Sequence, residues 1–111
     1  MIAEVNKMNE IFKQSLLYDF YGELLTAHQK KVYEQFLLED LSLGEIAEIE
    51  DISRQGVHDL IKRCNKALNG YEDKLHLMNK FLNIKEKVYQ INELEDIESI
   101  KQIAGEIIEE L

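Results

Sequence analysis

An all-α fold is predicted, on three observations. The chain has no proline and only five glycines among 111 residues, so little interrupts a helix. Apolar residues recur at steps of three and four along most of its length. The clusters of turn residues that a β protein of this size needs are absent. With 45% apolar and 32% charged residues the composition is that of a helix-rich globular protein. The length suits a single domain, 1–111, divided into a core over residues 10–69 and C-terminal helices over 71–111 that pack or dimerise.

The first helix is expected over residues 10–25, where Ile11, Phe12, Leu16, Leu17, Phe20, Tyr21 and Leu24 keep helical spacing. This aromatic-rich element is expected to supply much of the core. Thr26 and Gln29 have the spacing of a capping box, and they open a second helix with Val32, Tyr33, Phe36 and Leu37 as its inner stripe. Ser42 and Glu45 repeat that signature with both preferred residue types. The short third helix they start buries Leu43, Ile46 and Ala47. Glu50 and Asp51 interrupt the pattern. Ile52 reads as a hydrophobic staple, and Ser53 as the cap of a fourth helix in which Val57, Ile61, Cys64 and Leu68 share one side.

Gly70 permits two readings, a C-terminal stop after Asn69 or a tolerated glycine within one longer helix. Beyond it Tyr71, Leu75, Met78, Phe81, Leu82, Val88 and Ile91 continue a helical stripe. The last segment presents Leu94, Ile97, Ile100, Ile103, Ala104, Ile107 and Ile108 on one face. Its charge is lopsided, with eight acids against two bases over residues 86–111.

Three short helices with their own start signals succeed one another over residues 26–68, which predicts a helix-turn-helix core with additional N- and C-terminal helices. Ala47 is small enough to let two helices approach, and Ile52 and Val57 complete their shared core. With Val57, Ile61 and Cys64 turned inward, periodicity places Arg54, Gln55, His58, Asp59 and Lys62 outward. Arg54 suits guanine or a phosphate, and Gln55 can pair bidentately with adenine. Lys62, Arg63 and Lys66 suit phosphates, and His58 suits either role. The candidate nucleic-acid-binding set is therefore Arg54, Gln55, His58, Lys62, Arg63 and Lys66. Asp59 is the discordant member: it repels phosphate, though it can accept from cytosine N4.

Charge sets the terms for such a role. A net charge of −9 opposes indiscriminate binding to a polyanion, so any nucleic-acid site must be a local basic face. Residues 53–68 are such a face, with four bases against Asp59 alone. The same bases also suit a merely solvated helix face, those of the last turn being favoured by the helix dipole.

Residues 26–68 resemble region 4 of bacterial sigma factors. A closer resemblance is carried by Leu17-Tyr18-Asp19-Phe20-Tyr21-Gly22-Glu23-Leu24-Leu25-Thr26, Leu41-Ser42-Leu43-Gly44-Glu45-Ile46-Ala47-Glu48 and Ser53-Arg54-Gln55-Gly56-Val57. These segments are similar to the YlxM family, small bacterial proteins encoded beside signal recognition particle components. The resemblance covers roughly residues 9–90, and it implies a regulatory part in the signal recognition particle pathway. DNA, or the particle's RNA or protein, would then be the partner. Gly56-Val57-His58 stands where the family more often has Ala-Val-Tyr, which replaces the tyrosine ring at position 58 with an imidazole.

Other functions find no support in the residues. His28, His58 and His76 are too scattered for a metal site, and no cofactor is expected. No nucleophile–base pairing and no phosphate loop is visible, so the chain is read as a non-enzyme. Cys64 occupies an inward position as core filler, and a lone cysteine suits a reducing, cytoplasmic setting. No apolar run reaches membrane-spanning length, and residues 1–7 lack a secretory pattern, so no membrane partner is expected. The C-terminal helices carry more apolar surface than a compact core accounts for. They are expected either to fold back on residues 11–20 or to form a homodimer. From a different class comes the adaptor alternative, in which the sigma-like fold binds no DNA. Its acidic C-terminal helices would dock on a ribonucleoprotein or other basic partner.

Overall fold

The computed structural model describes residues 10–111; residues 1–7, where the absence of a secretory pattern was read, lie outside them. The protein is all-α. Its helices are α1 (Glu10–Tyr21), α2 (Ala27–Leu37), α3 (Leu43–Glu50), α4 (Arg54–Leu75), α5 (Leu77–Glu93) and α6 (Ile97–Glu110). A single 3-10 turn, Gly22–Leu24, joins α1 to α2, and there is no strand among the described residues. Contacts divide the chain into two compact units, one ending at Leu75 and the other spanning His76–Leu111.

In the first unit the helix starts are local chemistry. Gln29 N–H donates to Thr26 Oγ1 at 3.2 Å while Thr26 N–H donates to Gln29 Oε1 at 2.9 Å. Ser42 and Glu45 make the same reciprocal pair, both bonds at 3.1 Å. Each box satisfies amides that a helix N-terminus leaves without intrahelical partners. The bonds from Ser42 also hold the Glu45 carboxyl below its ordinary range. Ser53 Oγ accepts from Gly56 N–H at 2.9 Å and starts α4.

The helical spacing of residues 10–25 overstates α1, which ends at Tyr21. At Gly22 the backbone passes against the ring of Tyr18, so closely that a Cβ would lie 2.8 Å from Tyr18 Cε1. That ring is itself fixed. Its hydroxyl donates to Glu34 at 2.6 Å, and its centroid lies 5.5 Å from that of Tyr33. The core gathers Leu17, Tyr21, Leu25, Val32, Tyr33, Ile46, Val57, Ile61, Cys64 and Leu68. Ile11 and Phe12, expected in it, are 69% and 54% exposed. The reason is that α1 meets α2 and α4 through its C-terminal half, where Leu17 and Tyr21 are buried.

Two tyrosines reach across this core with their hydroxyls bonded. Tyr33 donates to Asn65, and Tyr21 to the buried Glu72, each at 2.5 Å. Burial raises the Tyr18 and Tyr33 hydroxyls above their usual range, and Glu34 adds to the effect at Tyr18. Both stay protonated donors at any physiological pH.

Of the two readings left open at Gly70, the structure has the longer helix. α4 runs 22 residues to Leu75, a rod of about 33 Å. A Cβ at Gly70 would meet nothing within 4 Å, so no close approach demands the glycine there. The helix passes through because Leu68 and Glu72 are buried on either side of it. The break comes instead at His76, which adopts the left-handed conformation (φ 56°, ψ 25°) ahead of α5.

The α3–α4 turn depends on another left-handed residue, Asp51 (φ 55°, ψ 46°). The Asp51 and Ile52 amides both donate to the Ala47 carbonyl, Ile52 at 3.1 Å, which closes α3. Asp51 pays a steric penalty in this conformation and places a negative charge at a helix C-terminus. Asp51→Gly is expected to raise stability by about 0.5–1 kcal/mol. The check is a higher urea midpoint at unchanged m-value.

In the second unit α5 and α6 pair as an antiparallel hairpin. Lys87 Nζ and Asn83 Nδ2 reach Glu110 at 3.3 and 3.2 Å. Asp96 caps α6 by accepting from Ser99 N–H at 3.0 Å and Ser99 Oγ at 2.6 Å, bonds that hold its carboxyl below the usual range. Of the Ile-rich face, Ile100, Ile103, Ala104 and Ile107 are half-buried, whereas Ile97 and Ile108 are exposed.

Candidate nucleic-acid interface

The second helix of the helix-turn-helix is the N-terminal half of α4. Val57, Ile61, Cys64 and Leu68 turn inward and are at most 6% exposed. That register leaves Arg54, Gln55, His58, Asp59, Lys62, Arg63 and Lys66 all exposed. Arg54 and Gln55 are its first two residues, the positions from which such a helix reaches base edges. Lys62, Arg63 and Lys66 follow two to three turns along, and they share a shallow groove with Asp59. His28 and Gln29, at the start of α2, share a second groove with Asp59 and Arg63.

The four cations are uncommitted. Among the described residues no salt bridge involves Arg54, Lys62, Arg63 or Lys66, whereas Lys30, Lys31 and Lys87 are each held by a glutamate. The Asp59 carboxylate turns instead to two neighbours on its own helix. Gln55 Nε2 donates to its Oδ1 at 3.0 Å, and His58 Nδ1 lies 3.6 Å from the same oxygen. Residue-by-residue reading missed this link, though the spacing of Gln55 and Asp59, four apart on one helix face, is a signal for it.

The turn that launches α4 is braced from behind. Glu50, whose side chain is 6% exposed, accepts from Gln35 Nε2 at 2.8 Å and faces Lys31 Nζ at 3.4 Å and His28 Nε2 at 3.7 Å. Chiefly the Gln35 bond, with Lys31 and His28 assisting, holds its carboxyl below the ordinary range. The cluster fastens the end of α3 to α2. Sequence reading treated Glu50 only as an interruption of the apolar pattern.

Cys64 is buried, and burial pushes its thiol up to about 11. Among the described residues no group of His, Cys, Asp or Glu is placed to hold a metal ion, and no helix is long and apolar enough to cross a membrane.

Comparison with known proteins gives one consistent answer. Residues 8–109 match the UPF0122 family, described as "Putative helix-turn-helix protein, YlxM / p13 like". A UPF0122 protein of Caldanaerobacter subterraneus is 52% identical over 79 residues, covering 71% of this chain and 68% of that protein. A second, from Thermoanaerobacter sp. (strain X514), is 46% identical over 104 residues, covering 87% and 89%. A third, from Clostridium perfringens, is 44% identical over 109 residues, covering 94% and 97%.

Proposed function

The chain belongs to the UPF0122 family of YlxM/p13-like proteins, and from that premise we propose that it is a nucleic-acid-binding regulatory protein acting through residues 54–66 of α4. The observation that carries this reading is the set of four exposed cations along the first half of α4, with no salt bridge to an acid among the described residues, in an otherwise acidic chain. A row of exposed cations along a helix of this fold is suited to phosphate. Arg54 and Gln55 contact base edges, His58 either base or backbone, and Lys62, Arg63 and Lys66 fix the register. The YlxM resemblance supports a place in the signal recognition particle pathway. The ligand is then duplex DNA near its target genes or the particle's RNA.

Fluorescence anisotropy with both nucleic acids, at low and moderate salt, tests the reading. Saturable binding that weakens with salt is expected. In the Lys62→Ala/Arg63→Ala double variant, loss of two phosphate contacts lowers affinity roughly 60-fold at about 100 mM salt. Unchanged affinity in that variant, or no binding by folded wild-type protein, would overturn the assignment. The acidic α5–α6 hairpin would then become the surface on which to seek a protein partner.

A further inference from the structure

The one acidic side chain in the middle of the basic face has a choice of partners. Asp59 has Lys62 and Arg63 three and four residues ahead of it, the spacing at which an acid and a base on a helix usually pair. No salt bridge joins it to either. Its Oδ1 turns the other way, to Gln55 Nε2 at 3.0 Å and towards His58 Nδ1 at 3.6 Å. The carboxylate thus leaves the cations free and takes hold of the residue best suited to read a base.

The geometry of an amide explains what that hold achieves. Gln55 has two N–H donors on Nε2 and an acceptor, Oε1. One N–H is used on Asp59, so the second N–H and the carbonyl remain for the N7 acceptor and N6 donor of an adenine. A free glutamine on an exposed helix samples several rotamers, and a tethered one loses less freedom on binding. The negative charge has a second effect. It lies among cations that attract any phosphate backbone, and it lowers that attraction for every sequence alike. A sequence that offers Gln55 its base recovers the difference, and other sequences do not.

We propose that Asp59 is a positioning and specificity-determining residue of this face, orienting the Gln55 amide towards a base edge while weakening binding to phosphate backbone alone. The inference rests on the nucleic-acid reading given above. Asp59 is exposed, with its side chain 54% accessible, so substitution leaves the fold intact.

Two variants separate orientation from charge. Asp59→Asn keeps an acceptor for Gln55 and removes the charge, and Asp59→Ala removes both. Wild type is first used to select a preferred site from a randomised duplex library, and that duplex and a scrambled one are then titrated by anisotropy against all three proteins. Both variants are expected to bind the scrambled duplex about eightfold more tightly at about 100 mM salt, with a salt slope steeper by about 0.9. Asp59→Asn is expected to keep the preference at the base pair read by Gln55. Asp59→Ala is expected to lose about tenfold of that preference, and adding Gln55→Ala to it is expected to cost nothing more.

The proposal is overturned if neither variant alters the preference or the salt slope while Lys62→Ala/Arg63→Ala still weakens binding roughly 60-fold at about 100 mM salt. In that result the basic face stands and Asp59 is a bystander. If folded wild-type protein enriches no duplex, the proposal falls together with the duplex-DNA reading; if it also fails to bind the particle's RNA, it is the nucleic-acid reading itself that fails.

Discussion

Replacing Ile46 by Ala is expected to destabilise the first unit by about 3–4 kcal/mol. Ile46 is fully buried and is the one residue of α3 that is. At eight residues α3 is far too short to persist by propensity, so it is held by its ends and by this side chain. Ser42 and Glu45 cap the start, and Glu50 and Asp51 fasten the end. Between them only Ile46 anchors the middle. A loss of this size is a large fraction of the stability of a small domain. Urea unfolding followed by circular dichroism would show it as a lowered midpoint at constant m-value. A cost below about 1 kcal/mol would mean that the Glu50 cluster, and not apolar burial, secures α3.

Gly22→Ala is expected to cost about 2 kcal/mol, against the usual direction for a glycine beside a helix. The added methyl would sit 2.8 Å from Tyr18 Cε1. The ring cannot swing aside cheaply, because its hydroxyl bond to Glu34 and its packing on Tyr33 would both be disturbed. The partner experiment is Tyr18→Leu. In that background Gly22→Ala should be nearly neutral, and the double-mutant cycle should return a coupling close to the full cost. Additive losses would place the strain elsewhere in the 3-10 turn.

What could be read from the sequence was what is decided within a turn or two. The capping boxes at Thr26/Gln29 and Ser42/Glu45 are contacts between residues three apart, and the composition of those residues announces them. The inward row Val57, Ile61, Cys64 and Leu68 follows from a period of 3.6, and the outward row follows with it. The extent of α1 was not legible, since it depends on how closely Gly22 passes Tyr18. Nor was the exposure of Ile11 and Phe12, which depends on where α1 meets other helices. The buried polar groups were invisible for a related reason: Tyr21 finds Glu72 51 residues away, and Gln35 finds Glu50 across a turn. Gly70 was ambiguous because glycine lowers helix propensity without forbidding a helix, so burial on both sides decides. The tie between Gln55 and Asp59 had a local signal, but side-chain direction rather than spacing determined that Asp59 turned to glutamine instead of arginine.

The state of Cys64 has a practical consequence. This is the one thiol in the chain, it lies at the centre of the contact between α4 and the rest of the first unit, and burial keeps it in its unreactive form at neutral pH. Reagents that alkylate thiols therefore find nothing on the native surface, and a cysteine introduced there would be the single site to take a dye. Conversely, in the unaltered protein, alkylation can proceed only through molecules in which α4 has come away. Its rate is a built-in clock for core opening, readable by mass without any label.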